Sequence, residues 1–171
     1  MTVINIENYI QKTKLQISDS DRQKCIEDIE KLFVDDEWCK HVPHYQTWPT
    51  LFDRKEEHWI SLKKKIEDKF NLQKNQRLKA WAYVSFVGKK GCLANLWHVH
   101  DSKDNFSAVF YLQNDNEFAG TMYMIEDTIV SPKVDNDTLY MFSSNILHTP
   151  PYWDYENSKS NRIVLAIVCN D

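Results

Sequence analysis

His98-Val99-His100, followed downstream by His148 and then Arg162, is the part of this chain whose side chains could do chemistry. Side chains alternate faces along an extended strand, so imidazoles at i and i+2 point to the same side of it. A third imidazole arriving from a distant strand would complete a three-point face on a metal ion. Such a face leaves other coordination positions open, as oxygen chemistry at non-heme iron requires. Arg162 opens the apolar run Ile163-Val164-Leu165-Ala166-Ile167-Val168. A guanidinium delivered there could hold the carboxylate of an acidic co-substrate beside the metal.

Each of these residues also has a plainer use. Any one of the six histidines, His41, His44, His58, His98, His100 and His148, is on its own more often a surface or hydrogen-bonded residue than a ligand. Position favours the trio: the His98/His100 pair closes an apolar run ahead of a polar loop, and His148 follows Phe142-Ser143-Ser144-Asn145-Ile146-Leu147. Function collects where rigid strands give way to loops. Arg162 alone would suit a surface ion pair on an edge strand, and Tyr111 alone is a strand core residue. The rival cluster Cys39-Lys40-His41-Val42-Pro43-His44 has zinc-binding side chains. A closed zinc site needs four ligands, however, and nothing nearby supplies the rest. That segment is expected to be a surface loop. Cys92 and Cys169 have no basic neighbour in sequence and are expected to be small buried apolar groups.

The elements that must carry these residues fall into two kinds. The first 75 residues read as helical. Ser18-Asp19-Ser20-Asp21 offers N-caps to a helix with Ile26, Ile29, Leu32 and Phe33 at three- and four-residue steps. A second helix is expected over about 54–70, with Trp59, Ile60, Leu62, Ile66 and Phe70 as its apolar positions. Its Lys63-Lys64-Lys65 run belongs to a solvated face. Residues 38–52, with Pro43 and Pro49, read as a loop. From Arg77 onward short apolar runs alternate with turn signals: 78–87, 93–99, 106–112, 119–125, 138–142 and 162–169. This spacing predicts an all-β sandwich or barrel. The helical part (about 1–75) is expected to pack on the β part (about 77–171) as a single domain over 1–171.

Composition excludes several classes. With 42% hydrophobic and 13% aromatic residues the chain is globular. A net charge of −4 gives no basic field, so nucleic acid is not an expected partner. No run of about 18 apolar residues predicts a membrane span. Met1-Thr2-Val3-Ile4-Asn5-Ile6-Glu7 lacks the basic and apolar regions of an export signal, and Cys25, Cys39, Cys92 and Cys169 are scattered. A cytoplasmic protein with reduced thiols is the expectation.

With the residues in order, the stretch from Trp81 to Cys169 resembles the 2-oxoglutarate/Fe(II)-dependent oxygenases, specifically the prolyl-hydroxylase-like branch and its small phage-type members. Trp81-Ala82-Tyr83-Val84 resembles the strand leading into the site. Asn95 stands three residues before the first metal histidine, and His98-Val99-His100 stands where the family carries HxD or HxH. Ser107-Ala108-Val109-Phe110-Tyr111-Leu112 is similar to the SGxYYL strand. Glu117-Phe118-Ala119-Gly120-Thr121-Met122 is similar to a Gly-Gly segment reduced to one glycine. The run from Pro132 to Phe142 carries Asp137 where a glycine is usual. His148 and Arg162-Ile163-Val164-Leu165-Ala166 close the series.

The resemblance implies a mainly β fold with N-terminal helices: a double-stranded β-helix (jelly roll) flanked by α-helices. It implies Fe(II) on His98, His100 and His148. It also implies 2-oxoglutarate as co-substrate, its far carboxylate on Arg162 with help from the Tyr111 hydroxyl, and Asn95 as a pocket residue. The implied activity is oxidative decarboxylation of 2-oxoglutarate coupled to hydroxylation of a peptidyl or small-molecule substrate. The commonest family metal set has a carboxylate where this chain has His100. Asp101 is adjacent but points to the opposite face of a regular strand. Two other activities fit the same residues: a three-histidine dioxygenase that needs no 2-oxoglutarate, and an inert jelly-roll binding module. The connection 149–161, rich in aromatics and prolines, suits either a substrate lid or a cover over one end of the barrel.

Overall fold

A computed structural model describes residues 5–34, 37–72, 76–89, 97–100, 104–151 and 158–170. Met1–Ile4, Cys92, Asn95, Asp101 and residues 152–157 of the connection before Arg162 lie outside the described residues. In chain order the elements are β1 (Ile10–Lys14), α1 (Asp19–Glu30), β2 (His44–Gln46), α2 (Glu57–Phe70), β3 (Arg77–Ser85), β4 (Asp104–Gln113), β5 (Met122–Ile125), β6 (Thr128–Val130), β7 (Thr138–Ser143), β8 (His148–Thr149) and β9 (Arg162–Asn170). The fold is thus mainly β with two α-helices. Among the described residues no helix is long and apolar enough to cross a membrane.

Both helices form where their sequence asks for them. Ser18 caps α1 by accepting the Asp21 amide at 3.0 Å, and Asp19 and Asp21 place negative charge at its positive end. Cys25, Ile26 and Ile29 face inward from α1; Trp59, Leu62 and Ile66 do so from α2. Asn71 stops α2 in a left-handed conformation at φ 49°. Asp28 of α1 ties the pair together: its Oδ2 takes the Trp59 indole N–H at 3.1 Å and lies 2.8 Å from His58 Nε2. His58 is therefore a structural residue.

The strands form two antiparallel sheets. One has six strands in the order β1-β7-β4-β9-β3-β2; the other has three in the order β6-β5-β8. The 1–75 region is therefore not only helical: β1 and β2 supply both edges of the larger sheet. Their short, mostly polar sequences, Ile10-Gln11-Lys12-Thr13-Lys14 and His44-Tyr45-Gln46, lack the apolar run of a buried strand, as edge strands can. Strand β5 begins at Met122, later than the apolar run from Ala119 suggested. The short strands β6 and β8 carry no sequence signal of their own.

Strand β9 lies between β3 and β4, and both of its faces are covered. Ile163, Leu165, Ile167 and Cys169 join the cluster beneath α1 and α2, together with Ala80, Ala82 and Val84 of β3 and Phe110 and Leu112 of β4. The opposite face gives Val164 to a second cluster, with Tyr83, Val109, Tyr111, Tyr123, Tyr140 and Phe142. Burial on both faces explains the unbroken apolar run after Arg162. Period-two alternation then puts Arg162 on the Val164 face, away from the helices. The turn before β7 places Asp137 at φ 67°, where Asp is among the residues that tolerate a left-handed backbone. Its carboxylate accepts Arg22 Nε at 3.0 Å, joining that turn to α1.

Candidate metal centre

The His98 and His148 backbones exchange two hydrogen bonds, N–H to O=C at 3.0 Å in each direction, so the two residues sit directly opposite one another. His148 also pairs with Tyr123 of β5, so it is flanked by backbone partners on both sides. His100, two residues beyond His98, is held by its amide to the Ser144 carbonyl at 3.1 Å. Ser144 is buried, and its hydroxyl lies 3.0 Å from that of Ser107 on β4. The three imidazoles converge: potential ligand nitrogens of His98, His100 and His148 all lie within 4.8 Å of one another. Ring centroids are 5.3 Å apart for His98–His100, 4.4 Å for His98–His148 and 5.0 Å for His100–His148. Among the described residues no second trio of His, Cys, Asp or Glu converges in this way. The Cys39–His44 segment forms no such trio; Cys39 is buried and His44 stacks on Tyr83.

The three histidines differ in exposure and in restraint. His148 is buried, and its Nδ1 lies 2.8 Å from the Ile146 carbonyl. That contact makes Nδ1 the protonated nitrogen and leaves the Nε2 lone pair for a cation. His100 is half-buried with the Trp81 ring edge-on at 5.9 Å, and His98 is the most exposed of the three. Burial, opposed by the Ile146 carbonyl and aided by His98 and His100, lowers the His148 pKa to about 4. Burial and the neighbouring His98 lower that of His100 to about 4 as well. Both rings are therefore neutral and ligand-competent at pH 7.

This burial carries a pH signature in the metal-free protein. The unfolded chain takes up protons near pH 6.5, while the folded chain resists protonation until about pH 4. The unfolded state thus binds more protons inside that window. Stability is fully present above pH 6.5 and is expected to fall as pH drops toward 4, by at most about 1.4 kcal/mol per pH unit for each imidazole and less for the part-exposed His100. Urea midpoints across the window should show a shallower slope for His148→Gln than for wild type. An equal slope would assign the effect to other groups.

Arg162 occupies the same cavity. It is 1% exposed, and its Nε donates to the Ala119 carbonyl at 2.9 Å. Its two terminal nitrogens are buried and have no hydrogen-bond partner, and its guanidinium carbon lies 5.3 Å from the Tyr111 ring centre. Far from an edge-strand surface residue, it is a buried cation with donors to spare. The Tyr111 hydroxyl donates to Thr121 Oγ1 at 2.9 Å and accepts the Thr121 amide at 2.7 Å. The cavity, about 470 Å³, is walled by His98, His100, His148, Arg162, Thr121 and the aromatic rings of Trp81, Tyr83 and Trp97. None of its described lining residues is acidic.

Sequence reasoning anticipated the three histidines and Arg162 at this place. It missed Thr121, the Ala119 and Ile146 carbonyls, and Gln46 on the cavity wall. Of these only Thr121, next to the lone glycine of its segment, had a nearby marker. Gly120 is there for space: a β-carbon on it would sit 2.2 Å from the Pro132 carbonyl oxygen. Gly120→Ala is expected to cost about 1–3 kcal/mol by overpacking. It should also shift the Ala119 carbonyl away from Arg162 Nε. A urea midpoint within error of wild type would contradict the first expectation.

No protein-family model matches this chain, and no curated protein does. Solved structures do. A prolyl hydroxylase from Trichoplax adhaerens, in complex with a hypoxia-inducible-factor oxygen-degradation-domain peptide, superposes with a TM-score of 0.66 at 14% identity over 98% of this chain and 86% of that one. A viral collagen prolyl hydroxylase from Paramecium bursaria Chlorella virus-1, in a 2-oxoglutarate complex, gives 0.59 at 16% identity over 95% of each chain. HygX from Streptomyces hygroscopicus, with nickel and 2-oxoglutarate bound, gives 0.63 at 11% identity over 96% and 84%. Near-complete coverage at these scores makes the likeness one of whole folds. The chain shares the fold of these two prolyl hydroxylases and of HygX.

Proposed function

We propose that this protein is a single-domain non-heme Fe(II) dioxygenase that couples oxidative decarboxylation of 2-oxoglutarate to hydroxylation of a peptidyl or small-molecule substrate. The two sheets are then the faces of a double-stranded β-helix. Fe(II) is held by His98, His100 and His148, whose neutral nitrogens suit a borderline divalent ion. Arg162 holds the far carboxylate of 2-oxoglutarate. When bound, the iron and 2-oxoglutarate would supply dioxygen activation: O2 is the oxidant, one of its oxygen atoms ending in succinate as carbon dioxide leaves and the other in the hydroxylated substrate.

The rest of the work falls to the chain's own residues. The His98–His148 backbone pair fixes two ligands against one another. Ile146 sets the tautomer of His148. Arg162 supplies a desolvated, pre-aimed guanidinium, so a carboxylate gains charge-assisted bonds without first displacing another partner. The aromatic wall of Trp81, Tyr83 and Trp97 leaves an apolar space for the primary substrate.

One observation carries this reading: a buried arginine with both terminal nitrogens unpartnered lines the same cavity as a converging histidine trio. Orphaned buried donors are costly and persist where a ligand completes them. A second reading, a three-histidine dioxygenase that binds its organic substrate directly and needs no 2-oxoglutarate, is favoured by the imidazole of His100 in the third ligand position. Anaerobic titration separates the two. Fe(II) followed by 2-oxoglutarate should give a visible metal-to-ligand charge-transfer band under the first reading, and aerobic turnover should release succinate. A protein that takes up Fe(II) but shows neither signal belongs to the second.

A further inference from the structure

We propose that the Thr121 hydroxyl, together with the Arg162 guanidinium, is the direct donor to the far carboxylate of the co-substrate, and that Tyr111 acts one step back by holding Thr121. This inference rests on the oxygenase reading above and concerns which side chains meet the dicarboxylate. A phenol has a single proton, and Tyr111 gives its own to Thr121 Oγ1 at 2.9 Å while its oxygen takes the Thr121 amide at 2.7 Å. The tyrosine is fully buried and meets Arg162 through its ring face, 5.3 Å from the guanidinium carbon, not through its hydroxyl. Thr121 is on the cavity wall and Tyr111 is not.

Accepting a hydrogen bond from Tyr111 leaves the threonine's own proton to be donated elsewhere. It also polarises that O–H, which strengthens it as a donor. Both donors are set by one short segment. The Ala119 carbonyl orients Arg162 through Nε, Thr121 sits two residues on, and Gly120 between them packs against the Pro132 carbonyl with no room for a side chain. The segment thus acts as a template that fixes where a terminal carboxylate must lie relative to the metal. Tyr111 locks its Thr121 end.

The test is calorimetric titration of 2-oxoglutarate into the full chain loaded with Ni(II), beside 2-oxobutyrate, a keto acid with no far carboxylate. Thr121→Val is expected to weaken 2-oxoglutarate binding roughly tenfold or more, the effect of losing one hydrogen bond to a charged group. Thr121→Ser should restore it to within about threefold, and Tyr111→Phe, which loosens and depolarises Thr121 without removing its hydroxyl, should weaken binding by an intermediate factor of less than about tenfold. Binding of 2-oxobutyrate should be the same for wild type and Thr121→Val, which separates loss of a carboxylate contact from a damaged site. Tenfold or greater weakening by Tyr111→Phe, or less than threefold by Thr121→Val, overturns the assignment. So does a loss in Thr121→Val that extends equally to 2-oxobutyrate. If the Ni(II)-loaded wild type binds no 2-oxoglutarate at all, the oxygenase reading fails first and this inference with it.

Discussion

His148→Ala is expected to lose metal binding by at least about 100-fold, and His98→Ala by a similar factor. Removing even an outer hydrogen-bond partner of a metal ligand costs roughly 10–100-fold, and deleting the ligand itself costs more. His148 is the more sensitive position because it is the most restrained of the trio: it is buried and fixed by the Ile146 carbonyl, so the fold and not the metal bears the cost of ordering it.

The backbone pairing between 98 and 148 uses main-chain atoms, which the substitution retains. His148→Gln, closer in size, guards against collapse of the cavity. The exposed His41 provides a control: His41→Ala should bind metal as wild type does. Metal content near one equivalent in folded His148→Ala and His148→Gln would remove the trio from the site.

Arg162→Met should have two effects of opposite sign. Binding of 2-oxoglutarate is expected to weaken roughly 10- to 100-fold, because a charge-assisted pair worth about 1.5–3 kcal/mol disappears. The ligand-free fold should become more stable, by about 1–3 kcal/mol. The wild-type side chain buries a cation whose terminal nitrogens have no partner, and a thioether of similar length costs no such desolvation. The cation–π contact with the Tyr111 ring offsets only part of that penalty. Urea midpoints without ligand and calorimetry with 2-oxoglutarate would measure both. A destabilised Arg162→Met protein would mean that the arginine serves the fold. Unchanged affinity would mean that it serves no carboxylate.

The chemistry was the most legible part of the sequence, because its signals are local or strongly patterned. An HxH spacing in an extended segment presents both rings to one side whatever surrounds it. The run over 162–169 marked a strand, and β9 is one; that both of its faces are covered is what the structure adds. Helix α1 started where Ser18 and its acidic neighbours said it would. Four strands stayed hidden because their markers were absent: β1 and β2 are short, mostly polar edges, and β6 and β8 lie outside the apolar runs. The hairpin joining β5 to β6 turns through Glu126 and Asp127, both at positive φ, where glycine or asparagine would have announced it. Strand β8 is two residues long, and no periodicity shows over two residues.

From its residues alone the chain declared its donor types and its strand-rich character from Arg77 onward; that Arg162 is buried and not on an edge-strand surface was left to the fold. Folding settled which donors meet. His148 reaches His98 through a long-range strand pairing, and Arg162 reaches the same cavity because β9 is inserted between β3 and β4. It also settled the partner of the Tyr111 hydroxyl, since Thr121 arrives from a different segment. Side-chain periodicity is a property of each strand and can be read along the chain. Contact between strands depends on register and sheet order, which arise from burial of the whole and leave no mark at the residues that finally touch.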